Sequence, residues 1–401
     1  MAARELGKDD FGRYATVVAA AALFESLLDL TVEESLTKFG FRYVAAADWG
    51  RLRRLFVVAV RFKALGALLA LVALAAFAPA ADSVFGATGL TAPMLAVAFL
   101  PLVQTQEDVA ATALLLRGRY DLRGGFLAFS MALRLAGIAV GAHYGVLEAV
   151  LGMLAAQVVA TSAVAVAGLA AFRCWPGGPE TLLAGDRREI TRFVAQSSVA
   201  TGVLSLRTML APLLLGVAAG TTAVGYLRVA QAPQSGLTAA SSPVRLILLT
   251  EQTRDWEHGH ERSVLSGVRR YTLGAALLMV VVVPIFFWAM PDLVRIVFGR
   301  QYLPAATAAR VILFAAALQF VYGWSKSLPV SIGKPQLRIW AHGVETAVLL
   351  PLVVLFGWKW GVTGAAVAML VSTGVFVALW TVFLARLHGE VAARATTAPV
   401  S

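Results

Sequence analysis

The sequence predicts an all-α, polytopic membrane helix bundle, and three observations predict it. Apolar residues make up 59% of the 401 residues and charged residues only 14%, with a mean hydropathy of +0.76. A soluble domain would carry about 25% charged residues. Eleven apolar segments are each long enough to cross a hydrocarbon core of about 30 Å as a helix. Lysine and arginine concentrate in every second connection between these segments, the asymmetry that marks cytoplasmic loops. Barrel strands would be half as long, so the spans are helices.

In chain order the spans lie near 11–32, 55–80, 90–113, 125–143, 146–172, 193–217, 220–244, 270–293, 303–330, 339–358 and 362–386. The first follows "LGKDDFGRYA" at 6–15, short, charged and bounded by glycines, which reads as a turn between spans. The loop 33–54 then carries Lys38, Arg42, Arg51, Arg53 and Arg54, and the loop 114–124 carries Arg117, Arg119 and Arg123. Arg173, Arg187, Arg188 and Arg192 follow in 173–192, and Arg245, Arg254, Arg262, Arg269 and Arg270 in 245–270. Lys334 and Arg338 mark the next basic loop, Arg386 and Arg394 the tail. The connections 81–89, 144–145 and 218–219 carry no basic residue. The basic loops and the C-terminus are therefore assigned to the cytoplasm.

With eleven spans that assignment puts residues 1–10 outside, where Arg4 and Lys8 run against the charge rule. One further helix upstream would repair it. An internal repeat gives the same expectation. Gly12 of "LGKDDFGRYA" is echoed by Gly225 of "LGVAAGTTAVGYLRVA" at 215–230, and "LRGRYDLR" at 116–123 by "SIGKPQLR" at 331–338. The offsets are 213 and 215 residues, so the two echoes agree. Two pseudo-symmetric six-helix lobes are expected: 1–172 with five spans and the sixth missing upstream, a linker at 173–192, 193–386 with six spans, and a tail at 387–401.

Several function classes are excluded. The net charge of +11 lies in short clusters between apolar runs, a membrane pattern and not a nucleic-acid one. A lone Cys174 permits no internal disulfide and fits no metal spacing. HExxH and Walker motifs are absent, no cofactor is implied, and no external loop is long enough to hold catalytic groups. A transporter is expected, not an enzyme, and a membrane glycan polymerase or ligase is disfavoured for want of a large external loop.

Charged side chains at membrane depth are costly unless they face a cavity or a partner. Glu25 and Asp29 share one face of the first span, and Gln104, Gln106, Glu107 and Asp108 crowd the third. Arg134 and Arg207 lie deep inside the fourth and sixth spans, and Arg228, Gln231 and Gln234 form a stripe on the seventh. Glu148, Lys326, His342 and Glu345 sit nearer boundaries, where they can snorkel or pair. A cavity of arginines and amides suits an anionic, sugar-bearing ligand, because guanidinium gives phosphate bidentate donors and amides match hydroxyls. Glu25, Asp29, Glu107 and Asp108 are candidates to pair with those arginines or to hold a coupling ion.

Five motifs resemble the polysaccharide-biosynthesis flippases of the multidrug/oligosaccharidyl-lipid/polysaccharide (MOP, MATE-like) exporter superfamily. They are Leu6-Gly7 with "FGRYA" at 11–15, "VGYLRVA" at 224–230, "FGRQYLPAATAARVI" at 298–312, "SIGKPQLR" at 331–338 and "GVTGAAVAMLVSTG" at 361–374. The resemblance implies two bundles opening alternately to either side of a bacterial cytoplasmic membrane. It implies a polyprenyl-diphosphate-linked glycan as cargo, with membrane lipids and the polysaccharide polymerase and chain-length machinery as partners. By position it suggests Arg134, Arg207 and Arg228 for the diphosphate. An aspartate that relatives often carry before "LLLG" is replaced here by Ala211 and Pro212. A drug/cation antiporter of the same superfamily and a peptidoglycan-precursor flippase are the alternatives.

Overall fold

A computed structural model describes residues 2–28, 32–176, 179, 181–183, 185–238, 248, 252, 255–256, 260–332, 334 and 336–397. The side chains of 34, 196–197, 199–205, 207, 330 and 392–397 lie outside that description. The chain forms two compact units, Met1–Thr222 and Ala223–Ser401.

In the first unit, α1 (Ala2–Leu28) is interrupted only at Gly7, with φ 76° and ψ 173°. Glycine adopts this left-handed backbone without the penalty a side chain would bring. The turn expected over 6–15 therefore contracts to a single residue, and Asp9, Asp10 and Gly12 are already helical. α2 (Val32–Ala45) occupies most of what was expected to be the loop 33–54. Val32, Leu36, Phe39 and Tyr43 recur at helical spacing and are buried, which is why the segment coils. α3 (Trp49–Phe85) starts where Asp48 accepts the Arg51 N–H at 3.0 Å and ends at left-handed Gly86. Its 37 residues span about 55 Å.

The expected span 90–113 is broken into α4 (Thr91–Val97) and α5 (Leu100–Leu116). Pro101 has no N–H for the Val97 carbonyl, so a continuous helix would lose a rung there. Asp82 accepts the N–H groups of Gly89 and Leu90 at 3.2 and 2.8 Å and fixes the turn into α4, which gives this carboxylate a structural role. α6 (Tyr120–Ala142) and α7 (Val146–Arg173) form a hairpin whose backbones nearly touch. A Cβ on Gly137 would strike the Gly152 carbonyl, and one on Gly141 that of Glu148. Small residues at such crossings let helices pack without a hydrophobic driving force. α8 (Arg187–Ser205) passes through a π-turn, Leu206–Leu210, into α9 (Ala211–Ala219). Pro212 explains the irregular turn, because the Thr208 carbonyl cannot receive its usual bond.

Gly220, with φ 84° and ψ 166°, leads into α10 (Thr221–Ala230), and the chain is helical again over 232–238. The second unit continues with α11 (Glu261–Val297), α12 (Ala305–Val321) and α13 (Gln336–Thr397), the last bent at Gly361. Pro291 inside α11 frees the Phe287 carbonyl, and Arg310 Nε donates to that oxygen at 2.9 Å. The Arg310 guanidinium also lies 4.7 Å from the Phe287 ring centroid. A polar rung lost to proline is thus replaced by a side chain, as a lipid-embedded backbone requires.

Among the described residues six helices are long and apolar enough to cross a membrane: α1, α3, α6, α7, α11 and α13 over Gln336–Val391. Two shorter apolar helices, Thr208–Ala219 and Ala305–Val321, fall within the expected sixth and ninth spans. The tenth and eleventh meet inside α13, and the far end of the seventh lies outside the described residues. Large apolar side chains point outward at helical spacing, Leu65, Leu69 and Val72 on α3 and Leu277, Val281, Ile285 and Trp288 on α11. Such faces suit a surface solvated by lipid.

Candidate functional site

Of the acidic candidates of the first unit, Asp108 pairs with a lysine and Glu25 lines a recess beside it. Lys63, 4% exposed, sits inside α3 and donates to Asp108 of α5 at 2.7 Å and to Glu33 of α2 at 3.4 Å. Glu25 and Asp108 line one recess with Lys63, Gln104 and Thr105, about 280 Å³ in volume. Glu33, Lys38, Asp108, Thr112 and Arg123 line a second, more open recess. Asp108 faces both. Gln104 Oε1 is buried and, among the described residues, receives no hydrogen bond. Glu107, one residue along α5, turns instead to α7, where it accepts a hydrogen bond from buried Gln157. Gln157 also donates to Thr161 at 3.0 Å.

Lys63 was legible in the sequence and was not among the expected residues. It lies eight residues inside the run 55–80, as deep as Arg134 in its own run, and stands beside Arg61 as the apparent end of a basic loop. Arg61 is exposed and Lys63 buried. The helical turn separates two cations that composition treats alike.

Arg134, on α6, is half-buried. Arg207 lies in the π-turn with its side chain outside the described residues, and Asp29 is outside them altogether. In the second unit, half-buried Arg228 on α10 has no ion-pair or hydrogen-bond partner among the described residues. Gln234 Nε2 donates to Gln319 Oε1 at 3.2 Å, and Gln319 Nε2 to Thr373 Oγ1 at 3.3 Å, so an amide relay joins the helical run 232–238 to α12 and α13. Gln231 approaches the Met369 sulfur at 3.9 Å. Gln234, Gln319, Tyr271 and Lys326 line a recess of about 590 Å³. The arginine and the two amides expected on one stripe thus fall in one unit, with Arg228 outside the relay.

The boundary residues have structural partners. His342 contacts Glu345 at 3.1 Å, both buried, and stacks on Phe376. Exposed Glu148 sits in the first turn of α7, where a carboxylate complements the helix N-terminus. Among the described residues no group of three or more His, Cys, Asp or Glu side chains is placed to hold a metal.

A second polar cluster ties α2 to α3 and α8. Arg42 makes two 3.0 Å bonds to Glu189, Tyr43 donates to Asp186 at 2.8 Å, and Arg51 lies 3.6 Å from the same aspartate. Burial, and then the bond to Asp186, push the Tyr43 hydroxyl above its usual pKa. The Arg42 hydrogen bonds hold Glu189 below the ordinary 4.5.

A family described as polysaccharide biosynthesis protein matches residues 1–244. The chain belongs to that family. No curated protein sequence matches it. Among solved structures, an inward-facing multidrug resistance MATE family transporter of the MOP superfamily is similar with a TM-score of 0.74 at 13% identity, over 96% of this chain and 91% of that one. The lipid II flippase MurJ, in an inward closed conformation, is similar at 0.67 and 11% identity, over 92% and 84%. A MOP superfamily transporter from Pyrococcus furiosus follows at 0.59 and 14%, over 96% and 87%. At these identities the likeness is one of fold. This member of the family is a polytopic helical membrane protein with the MOP fold, and its links are to polysaccharide biosynthesis.

Proposed function

We propose that the protein is a flippase that carries a polyprenyl-diphosphate-linked oligosaccharide unit across the bacterial cytoplasmic membrane by alternating access. In this reading Arg134, Arg207 and Arg228 bind the diphosphate, and Gln231 and Gln234 the sugar hydroxyls. Glu25, Asp29, Glu107 and Asp108 serve as the acidic, ion-responsive side of the mechanism. Glycan polymerase and chain-length machinery consume the product, and the basic loops and C-terminus face the cytoplasm. The reading includes two lobes of related topology, 1–172 and 193–386, joined by 173–192 and followed by the tail 387–401. What supports the repeat is that Gly7 and Gly220, 213 positions apart, adopt nearly the same left-handed backbone before a helix.

The observation that carries the substrate class is Arg228. A guanidinium stays charged at any physiological pH, and a half-buried one without a partner among the described residues is stabilised by an anion that arrives from elsewhere. A diphosphate supplies that anion, and the neighbouring amides supply sites for hydroxyls. A cation/drug antiporter would place its free charge on carboxylates. Here Asp108 is already neutralised by Lys63, and Glu107 is hydrogen-bonded to Gln157.

The test is export of surface polysaccharide from cells carrying Arg228→Gln or Arg228→Glu as the sole copy. Loss of a charge-assisted contact worth about 1.5–3 kcal/mol predicts roughly a 10- to 100-fold fall in export. Arg228→Lys retains part of it, and membrane abundance is unchanged. Wild-type polymer from the glutamate variant would overturn the reading.

A further inference from the structure

Within the second unit an aromatic groove of about 620 Å³ is lined by Trp324, Leu328, Trp380 and Phe383, with Lys334 and Arg386 at its rim. We propose that this groove holds one anionic glycerophospholipid of the surrounding bilayer, its phosphate at Arg386 and its acyl chain among the aromatic rings.

Three features of the groove specify that occupant. The first is polarity along its length. The apolar run of α13 ends near Leu387, and Arg386, His388 and Glu390 follow at the same end, so the groove spans the change from hydrocarbon to interface. The second is charge. Lys334 and Glu390 neutralise each other at 2.9 Å, whereas exposed Arg386 has no ion-pair partner among the described residues. The rim keeps one net positive charge, which selects a phosphate without a compensating choline or amine.

The third feature is the wall itself. Trp324 and Trp380 are buried and cross edge to face at 5.6 Å, so they present a rigid apolar surface along which an acyl chain can lie.

The experiment uses the purified full chain in phosphatidylcholine nanodiscs doped with acyl-brominated phosphatidylglycerol, with tryptophan fluorescence as the readout. Bromine within the groove quenches Trp324 and Trp380. Quenching by the brominated phosphatidylglycerol is expected at roughly fivefold lower mole fraction than by brominated phosphatidylcholine, the advantage of about one basic residue at an anionic headgroup. Trp324→Phe with Trp380→Phe removes the high-affinity component. Arg386→Gln, a substitution at an exposed position that keeps Trp324 and Trp380 in place, brings the two lipids to parity. Equal quenching by both lipids in the wild type overturns the proposal. So does displacement of the quencher by undecaprenyl diphosphate at equal mole fraction, which would give the groove to the transported lipid. Neither outcome depends on export, so failure here leaves the flippase reading standing.

Discussion

At Lys63 the balance of charge and burial decides what a substitution does. Its side chain is 5% exposed, whereas those of Asp108 and Glu33 remain 47% and 40% exposed. The carboxylates keep much of their hydration and the ammonium keeps almost none. Removing a partner from a buried ion costs about 3–5 kcal/mol, less here because Glu33 remains. Asp108→Asn should therefore lower thermal stability in detergent clearly, and Lys63→Met, which removes the buried charge itself, should lower it little or raise it. Combining the two should recover most of the loss. A Lys63→Met melting temperature as low as that of Asp108→Asn would refute this ordering. The sequence made the depth of Lys63 visible but not its partners, since 63 meets 33 and 108 only after three helices have packed. Arg228, Gln231 and Gln234 were readable as a stripe because they recur three residues apart, although the helix is interrupted at Gln231 between α10 and 232–238.

Helices were legible where apolar runs were long and featureless, as in α7 and α11. They were less so where one pattern overlay another. In the segment 33–54 the density of lysine and arginine signals a loop, yet Leu36, Phe39 and Tyr43 carry a helical period and become the buried face of α2. The breaks in α4–α5 and before α9 were written in Pro101 and Pro212, although the apolar count runs straight across both. The same reading explains how α2 is held. Its polar edge is tied to α8 by Arg42–Glu189, an exposed pair whose contribution depends on pH. Because the folded carboxylate lies below its usual 4.5, the tie is present above that value and is lost as pH falls through the lower folded one. Spin labels at Phe41 and Arg192, in a Cys174→Ser background, should give one narrow distance at neutral pH that broadens only well below pH 4.5. With Arg42→Gln the distribution should be broad throughout. A wild-type transition unchanged by Arg42→Gln would assign the pH response to another contact.

For the whole molecule, orientation links sequence, membrane and proposed function, because a flippase for a cytoplasmically made lipid must know its sides. In the proposed orientation the distribution of Lys and Arg assigns 173–192 to the cytoplasm, and the free energy behind that rule acts on loops of this length. The chain supplies its own probe there. Cys174 is the single cysteine, follows α7 directly, and is exposed beside Trp175. A membrane-impermeant maleimide added to intact spheroplasts should leave it unmodified, and the same reagent should label it in inverted vesicles. Ala87→Cys, in the turn that Asp82 holds between α3 and α4, should show the opposite pattern in a Cys174→Ser background. The expected spans 90–113, 125–143 and 146–172 lie between the two positions and would make three crossings, so a shared response would break that count. Labelling of Cys174 from outside would reverse every loop at once. It would place the basic clusters of α2, α3 and α8 on the surface where the polymer is assembled, and a cytoplasmic supply of substrate could not meet them.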